Sequence, residues 1–278
     1  IAVLKMTKKG IRPSRHFRNV RTKYGRRHVL VNRDISRRKK IKVPPGLRKV
    51  RFYTGRNYIA TGIDKKGRLQ HIYPESWHRK NESRKFRRIN KLVKKKKIIL
   101  NKIVKDVKEG NIEAQAVYTI FKTGFRPGSE KDTKADKESF GAITLLKDHV
   151  KIKPKDKVKF NFIGKKGVEI KKEVQDPLLA DIMKERKQDK HLFATSSGEV
   201  REYFDKKTDG QFQLKDLRTL KGFEVADRVL AKTKSEDPKE IRKEVVAEVS
   251  KELGNTESVA AKSYIAPKLE ELKDGKTN

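Results

Sequence analysis

Four side chains, far apart along the 278-residue chain, carry between them the groups that phosphodiester chemistry requires. They are Arg126 in Phe125-Arg126-Pro127-Gly128, Lys165 in Gly164-Lys165-Lys166-Gly167, Arg218 in Lys215-Asp216-Leu217-Arg218-Thr219, and Tyr264 in Lys262-Ser263-Tyr264-Ile265. Breaking a phosphodiester without a metal takes a nucleophile, cations for the charge on the non-bridging oxygens, and an acid for the departing oxygen. A phenol, with a pKa of about 10, is a weak nucleophile until adjacent cations favour its anion. Arginine suits the clamp because its planar fork binds two phosphate oxygens at once and stays charged. A lysine whose pKa is lowered by neighbouring cations can serve as the acid. Singly, each residue has an ordinary use: a half-buried helix tyrosine, a surface ion pair, a helix-end cation. One candidate for every role is what argues for chemistry.

The elements that must hold these residues follow from pattern. Residues 111–123 predict a helix with Ala116, Val117, Ile120 and Phe121 inward, ending at Gly124, so that Arg126 falls where the backbone changes direction. Val158 to Val174 alternates, with Val158, Phe160 and Phe162 on one side, and predicts a β-hairpin with Lys165 at its tip, able to enter a site when a partner binds. From residue 176 the pattern is helical, over 177–187, 198–204, 214–231, 238–253, 256–264 and 267–272. Asp237-Pro238-Lys239-Glu240 is a helix start, with a capping acid, Pro in the first position and Glu three after the cap. Gly254 ends that helix, Thr256 opens the next, and Tyr264 is expected about two turns into it.

Upstream, short strand-like pieces at 28–31 and 41–43 lie among basic clusters before Pro44-Pro45-Gly46 breaks them; from Val50, strands at 50–53, 58–61 and 69–73, separated by turns such as Thr54-Gly55-Arg56-Asn57 and Asp64-Lys65-Lys66-Gly67, predict a small antiparallel sheet. The second turn gathers Lys65, Lys66 and Arg68 at one tip, where they could reach phosphates or base edges; a solvated turn is the plainer use of the same residues. Glu82 to Gly110 reads as a long amphipathic helix with Phe86, Ile89, Val93, Leu100, Ile103 and Val107 inward and Lys94 to Lys97 on the other face. The polar segment ending at Glu138 reads as a loop, and Ala142 to Leu146 as a strand. The expected fold class is α+β: a small basic β-rich domain over residues 1–80, then a larger, mainly helical domain over 81–278 that carries the hairpin, with residues 273–278 frayed.

Charge points to the partner. The chain has 73 Lys and Arg against 36 Asp and Glu, a formal net charge of +37, and 34 of the basic residues but 4 of the acidic ones lie in positions 1–100. A polyanion is the expected partner, gripped by the first third. Residues 1–26 read either as a basic tail or as part of that grip. The absence of cysteine excludes disulfide frameworks, zinc ribbons and thiol catalysis. No apolar run approaches the roughly 20 residues of a membrane span, so a soluble intracellular or virion protein is expected.

Three segments closely resemble the signature segments of type IB DNA topoisomerases: Leu253 to Ile265, Lys215 to Thr219, and Phe162 to Lys165. Ala60 to Tyr73 is similar to the amino-terminal strand-turn-strand of the small poxvirus-like and bacterial branch. The resemblance covers roughly residues 45–270. It implies that Tyr264 forms a 3′-phosphotyrosyl bond, that Arg126 and Arg218 bind the scissile phosphate, and that Lys165, rather than Lys166, helps protonate the leaving 5′-hydroxyl. Lys65, Lys66, Arg68, Gln70, Tyr73 and Lys215 would contact DNA. No ATP, metal or other cofactor is called for. A monomeric clamp on double-stranded DNA is the implied assembly. Asn255 stands nine residues before the tyrosine, where many members carry histidine. It can donate to a non-bridging oxygen without titrating, or simply close one helix and cap the next. Two rival readings remain: a tyrosine recombinase, whose usual His-x-x-Arg is Lys215-x-x-Arg218 here, and a non-catalytic basic nucleic-acid-binding protein, which explains the charge but not the ordered set.

Overall fold

Short apolar residues scattered through the basic amino-terminal third pair as antiparallel strands. In the computed structural model, which describes residues 17–22, 25–30, 39–53, 57–133, 138–186 and 190–273, β1 (Phe17–Thr22), β2 (Gly25–Leu30) and β3 (Lys39–Lys42) form one sheet in that order. Part of the stretch readable as a tail is therefore folded strand. A second antiparallel sheet joins β4 (Arg48–Phe52), β5 (Ala60–Ile63) and β6 (Leu69–Ile72). Val43, Phe52 and Ala60 make its small core. The expectations for residues 1–16, 23–24, 31–38, 54–56, 134–137, 187–189 and 274–278 lie outside the described residues.

Two units divide the chain, residues 1–84 and 85–278, and the division falls within a single long helix, α1 (Glu75–Lys108). The helix begins seven residues before the expected start at Glu82, because Pro74 accepts from the backbone of Trp77 and His78 and Glu75 provides an acid for the first turn. Its inward stripe also differs from expectation. Leu92 and Ile99 are buried at 0% and 4% exposure, whereas Val93 is 43% exposed and Leu100 is intermediate. A straight helix advances 100° per residue, so a stripe over several turns drifts by one position.

In the second unit, α2 (Ile112–Thr123) is buried on nearly every side, from Ala114 through Phe121. Asn111 caps its start, its side chain accepting from Ala114 N at 2.7 Å, and Gly124 ends it with φ 68°. After a single turn, α3 (Glu130–Thr133), the run Ala142–Leu146 is not a strand. Residues 142–144 form a tight turn in which Thr144 Oγ1 accepts from Gly141 N at 3.0 Å; residues 142–145 are buried, Leu145 O accepts from Leu192 N at 3.0 Å, and half-buried Leu146 makes only an isolated bridge to His191. The hairpin follows as β8 (Lys157–Gly164) and β9 (Val168–Gln175), with β7 (Val150–Lys153) added as a third strand beside β8. Phe160 and Phe162 face the core from β8, against the ring of Phe125.

The remainder is helical: α4 (Pro177–Arg186), α5 (Ser197–Lys207), α6 (Asp216–Leu230), α7 (Pro238–Leu253), α8 (Glu257–Ser263) and α9 (Ala266–Lys273). Phe223, Val245, Val249, Leu253, Ala260 and Ile265 belong to a core shared by α6 to α9. Asp216, 1% exposed at the start of α6, receives Arg88 of α1 through Nε at 2.5 Å and Nη2 at 2.9 Å. This pair holds α6 to α1; removing one partner of such a buried pair costs about 3–5 kcal/mol.

Tyr264 lies just past α8, as its C-terminal cap with φ −121° and ψ −38°, not within the helix as expected. Pro267 has no N–H to offer the carbonyl of Ser263 four residues back, so the helix cannot continue through it. Lys85 Nζ of α1 donates to that carbonyl instead, at 2.8 Å.

Candidate active site

Two helix exits and one helix interior bring the site together. Past Gly124, the exit of α2 delivers Arg126; past Gly254, with φ 58°, the exit of α7 delivers Asn255; and α6 carries Arg218. A side chain at Gly254 would be strained by that φ, and its Cβ would come within 2.6 Å of Ile170 Cδ1 on β9. Strand and helix exit are thus in direct contact at this point.

Arg218 is the hub. It is 5% exposed, and its guanidinium donates from Nε to Tyr264 Oη at 3.0 Å, from Nη1 to Gly124 O at 2.6 Å, and from Nη2 to Asn255 Oδ1 at 3.1 Å and to Leu253 O. Arg126 Nη2 donates to the same Asn255 Oδ1 at 2.8 Å. Four of the five residues assigned to catalysis from sequence, Arg126, Arg218, Asn255 and Tyr264, therefore meet. With its oxygen held by two arginines, the Asn255 amide must turn Nδ2 the other way, and that buried donor finds no acceptor among the described residues. Asn255 also closes α7, its N–H donating to Ser250 O at 3.0 Å, while the cap of α8 is Thr256 rather than Asn255.

Electrostatics favour the nucleophile. Burial alone would push the Tyr264 phenol up, but the charge and hydrogen bond of Arg218, with Arg126 and the Asn255 amide behind it, hold it below the usual tyrosine value. Burial pulls the Arg218 guanidinium down from its ordinary value, partly offset by Tyr264. A phenol whose anion is favoured by two neighbouring cations is suited to in-line attack on phosphorus and to leaving again.

Lys165 stands exposed at the hairpin tip, outside this cluster; Lys166, next to it, has φ 67°. Lys215 is exposed at the start of α6. In the first unit, Lys65 and Lys66 are exposed, but Arg68 and Gln70 are both drawn to Asp64, at 2.9 Å each. Tyr73 stacks on Trp77 with ring centroids 3.8 Å apart. Among the described residues no group of three or more His, Asp or Glu could hold a metal ion, and no helix is long and apolar enough to cross a membrane.

Sequence reasoning missed three residues here. Lys85 pins the residue before the tyrosine, and nothing in its lysine-rich surroundings marks it. Lys172 occupies an inward position of β9 between Ile170 and Val174, a charge in the apolar phase of a strand, and that phase was the available signal. Gly222 lies one turn after Arg218, and a Cβ there would sit 3.2 Å from Tyr264 Cβ. Gly222→Ala is expected to shift the phenol by a few tenths of an ångström and slow DNA cleavage about tenfold, since misplacements of about 1 Å cost about 100-fold. Single-turnover cleavage at saturating protein measures it; an unchanged rate would mean Tyr264 adjusts freely.

The catalytic-core model of eukaryotic DNA topoisomerase I matches residues 74–277. It begins at the start of α1 and includes Arg126, Lys165, Arg218, Asn255 and Tyr264, while the strand-turn-strand segment of residues 60–73 precedes it. Comparison with curated proteins returns no match. The match takes in the whole helical unit and its hairpin, so the chain belongs to the type IB DNA topoisomerase family, isomerases whose substrate is DNA.

Proposed function

We propose that this protein relaxes supercoiled duplex DNA through a transient single-strand break. Tyr264 Oη attacks the scissile phosphorus, a 3′-phosphotyrosyl bond forms, the P–O bond to the 5′ oxygen breaks, and that oxygen leaves as a hydroxyl with a proton from Lys165. Arg126 and Arg218 neutralise the charge on the non-bridging oxygens, and Nδ2 of Asn255 donates a hydrogen bond to one of them. The free end rotates, and its hydroxyl attacks the phosphotyrosine to restore the strand and release the phenol. Each step exchanges one phosphoester for another, so no nucleotide is consumed and no metal is required. The observation that carries this reading is the 3.0 Å contact between Arg218 Nε and Tyr264 Oη, with Arg126 joined to it through Asn255.

The basic first unit is read as a grip on the duplex, with Lys65, Lys66, Arg68, Gln70 and Tyr73 against DNA, and Lys215 near the break. The likeness of residues 60–73 favours the small poxvirus-like and bacterial branch, and a monomer. Relaxation of a supercoiled plasmid in EDTA without nucleotide is the test. Ladders of partly relaxed topoisomers are expected; failure to relax under those conditions would sink the proposal, and site-specific strand exchange in their place would favour a recombinase.

A further inference from the structure

Lys172 is a buried cation that the proposed reaction does not use. Its side chain is 9% exposed, and its Nζ donates to Thr123 O at 2.6 Å, Glu252 O at 3.2 Å and Glu252 Oε1 at 2.9 Å. The two carbonyls belong to the last turns of α2 and α7, where a helix leaves carbonyls without internal partners. Arg218 takes the next carbonyl of each exit, Gly124 O and Leu253 O. Two cations side by side thus stitch the same pair of helix ends, one at 123 and 252, the other at 124 and 253. Three residues beyond the Lys172 tie, on each chain, come Arg126 and Asn255, which meet at 2.8 Å.

We infer that Lys172 is a positioning residue for transesterification: its ammonium sets the spacing of the two helix exits and so the alignment of Arg126 and Asn255 on the phosphate. The inference rests on the function proposed above. All three ammonium protons are engaged, whereas a neutral amine has two protons and turns a lone pair toward carbonyl oxygens. Burial brings Lys172 down to about 8, with Glu252 of α7 pulling it up and Lys221 and Arg218 of α6 pushing it down; α2 faces it with carbonyl oxygen and the Phe125 ring at 5.9 Å. The tie is therefore made below about pH 8 and weakens above it.

The sign of the linked stability change separates this role from a purely structural one. A lysine whose folded pKa lies below its unfolded value of about 10.4 sheds a proton on folding in the window between, so stability rises with pH across that window. The aligned site is lost over the same window. Stability and cleavage should move in opposite directions.

The experiment compares wild type, Lys172→Met and Glu252→Gln in single-turnover cleavage of a duplex from about pH 6 to about pH 10, with melting temperatures and amide exchange of the free proteins. Wild-type cleavage is expected to rise as the phenol ionises and fall above about pH 8. Lys172→Met should cleave about 10- to 100-fold more slowly at neutral pH and without the alkaline fall, with any loss of melting temperature limited by Lys221, which remains 3.9 Å from Glu252. Glu252→Gln should move the alkaline fall to lower pH, since its carboxylate holds the Lys172 proton. In Lys172→Met, amides of residues 124–126 and 253–256 should exchange faster. Wild-type cleavage by Lys172→Met at neutral pH, or an alkaline fall unmoved by Glu252→Gln, would overturn the inference. Should wild type form no adduct at any pH, the proposed function itself fails, and amide exchange still decides for or against the tie.

Discussion

Tyr264→Phe is expected to bind duplex DNA with unchanged salt sensitivity, to form no covalent protein–DNA adduct, and to relax supercoils at least about 10⁴-fold more slowly than wild type. The substitution removes one oxygen and leaves the packing intact. The ring keeps its place beside Gly222, and Arg218 keeps Gly124 O, Leu253 O and Asn255 Oδ1 as acceptors when the phenol is gone. Binding depends on the +37 net charge, concentrated far from the phenol in sequence, so its dependence on ionic strength should be preserved. Denaturing-gel detection of the adduct with an end-labelled strand, alongside a binding titration at two salt concentrations, measures both halves. Relaxation by the variant at the wild-type rate would remove Tyr264 from the role of nucleophile.

The second large effect is expected at Arg218. Arg218→Lys keeps the charge but replaces a planar fork with a compact ammonium that has three donors. The native guanidinium reaches four acceptors on three elements, and no ammonium at the end of a lysine stem reaches all of them. Loss of a single preorganised donor to a developing anion costs about 100- to 1,000-fold. Here the donor to the nucleophile and the anchors of both helix exits go together, so cleavage should fall by about 1,000-fold or more. The pH dependence should move as well. Arg218 is the main influence lowering the Tyr264 phenol, so weakening their contact raises its pKa toward the ordinary value. Less anion is then present at neutral pH, and the rising limb of the rate profile moves to higher pH. Cleavage within tenfold of wild type, with the limb unmoved, would show that charge alone suffices at this position.

Much of the scaffold was legible because local chemistry decides it. The helix over residues 238–253 starts at its Asp-Pro-x-Glu signal and stops at Gly254 with the bounds expected, and α2 runs between its Asn cap and Gly124. The hairpin around Lys165 follows from strict alternation on β8. Elsewhere the decisive influence acts at a distance. Residues 142–146 are apolar enough for a strand, but the Thr144 hydroxyl closes a turn on Gly141 that hydrophobicity cannot announce. Pro267 halts α8 from outside, withdrawing a donor from a carbonyl four residues earlier, and so moves Tyr264 off the helix. The candidate site was legible as residue types, since cations and a phenol in familiar local words suggest a chemistry, and the fold brings Arg126, Arg218, Asn255 and Tyr264 together. Its supports were not. Lys172 and Gly222 act through tertiary contacts, and a single charged or small residue inside an element carries no local meaning until its neighbours are known.

That interruption between α8 and α9 has a bearing on the covalent state proposed for the reaction, in which protein and strand would be one molecule. A tyrosine embedded in a continuous helix would be anchored by the backbone ladder on both sides, and any recoil of the tethered strand would have to unwind a turn. Tyr264 keeps its own N–H on Ala260 O at 3.1 Å, while the carbonyl just before it accepts from Lys85 Nζ at 2.8 Å. The chain leaves the helix at Tyr264 yet stays fixed there: Ile265, 0% exposed, donates its N–H to Ala260 O at 3.3 Å, so a pull on a strand joined to the phenol would meet a buried anchor one residue further on.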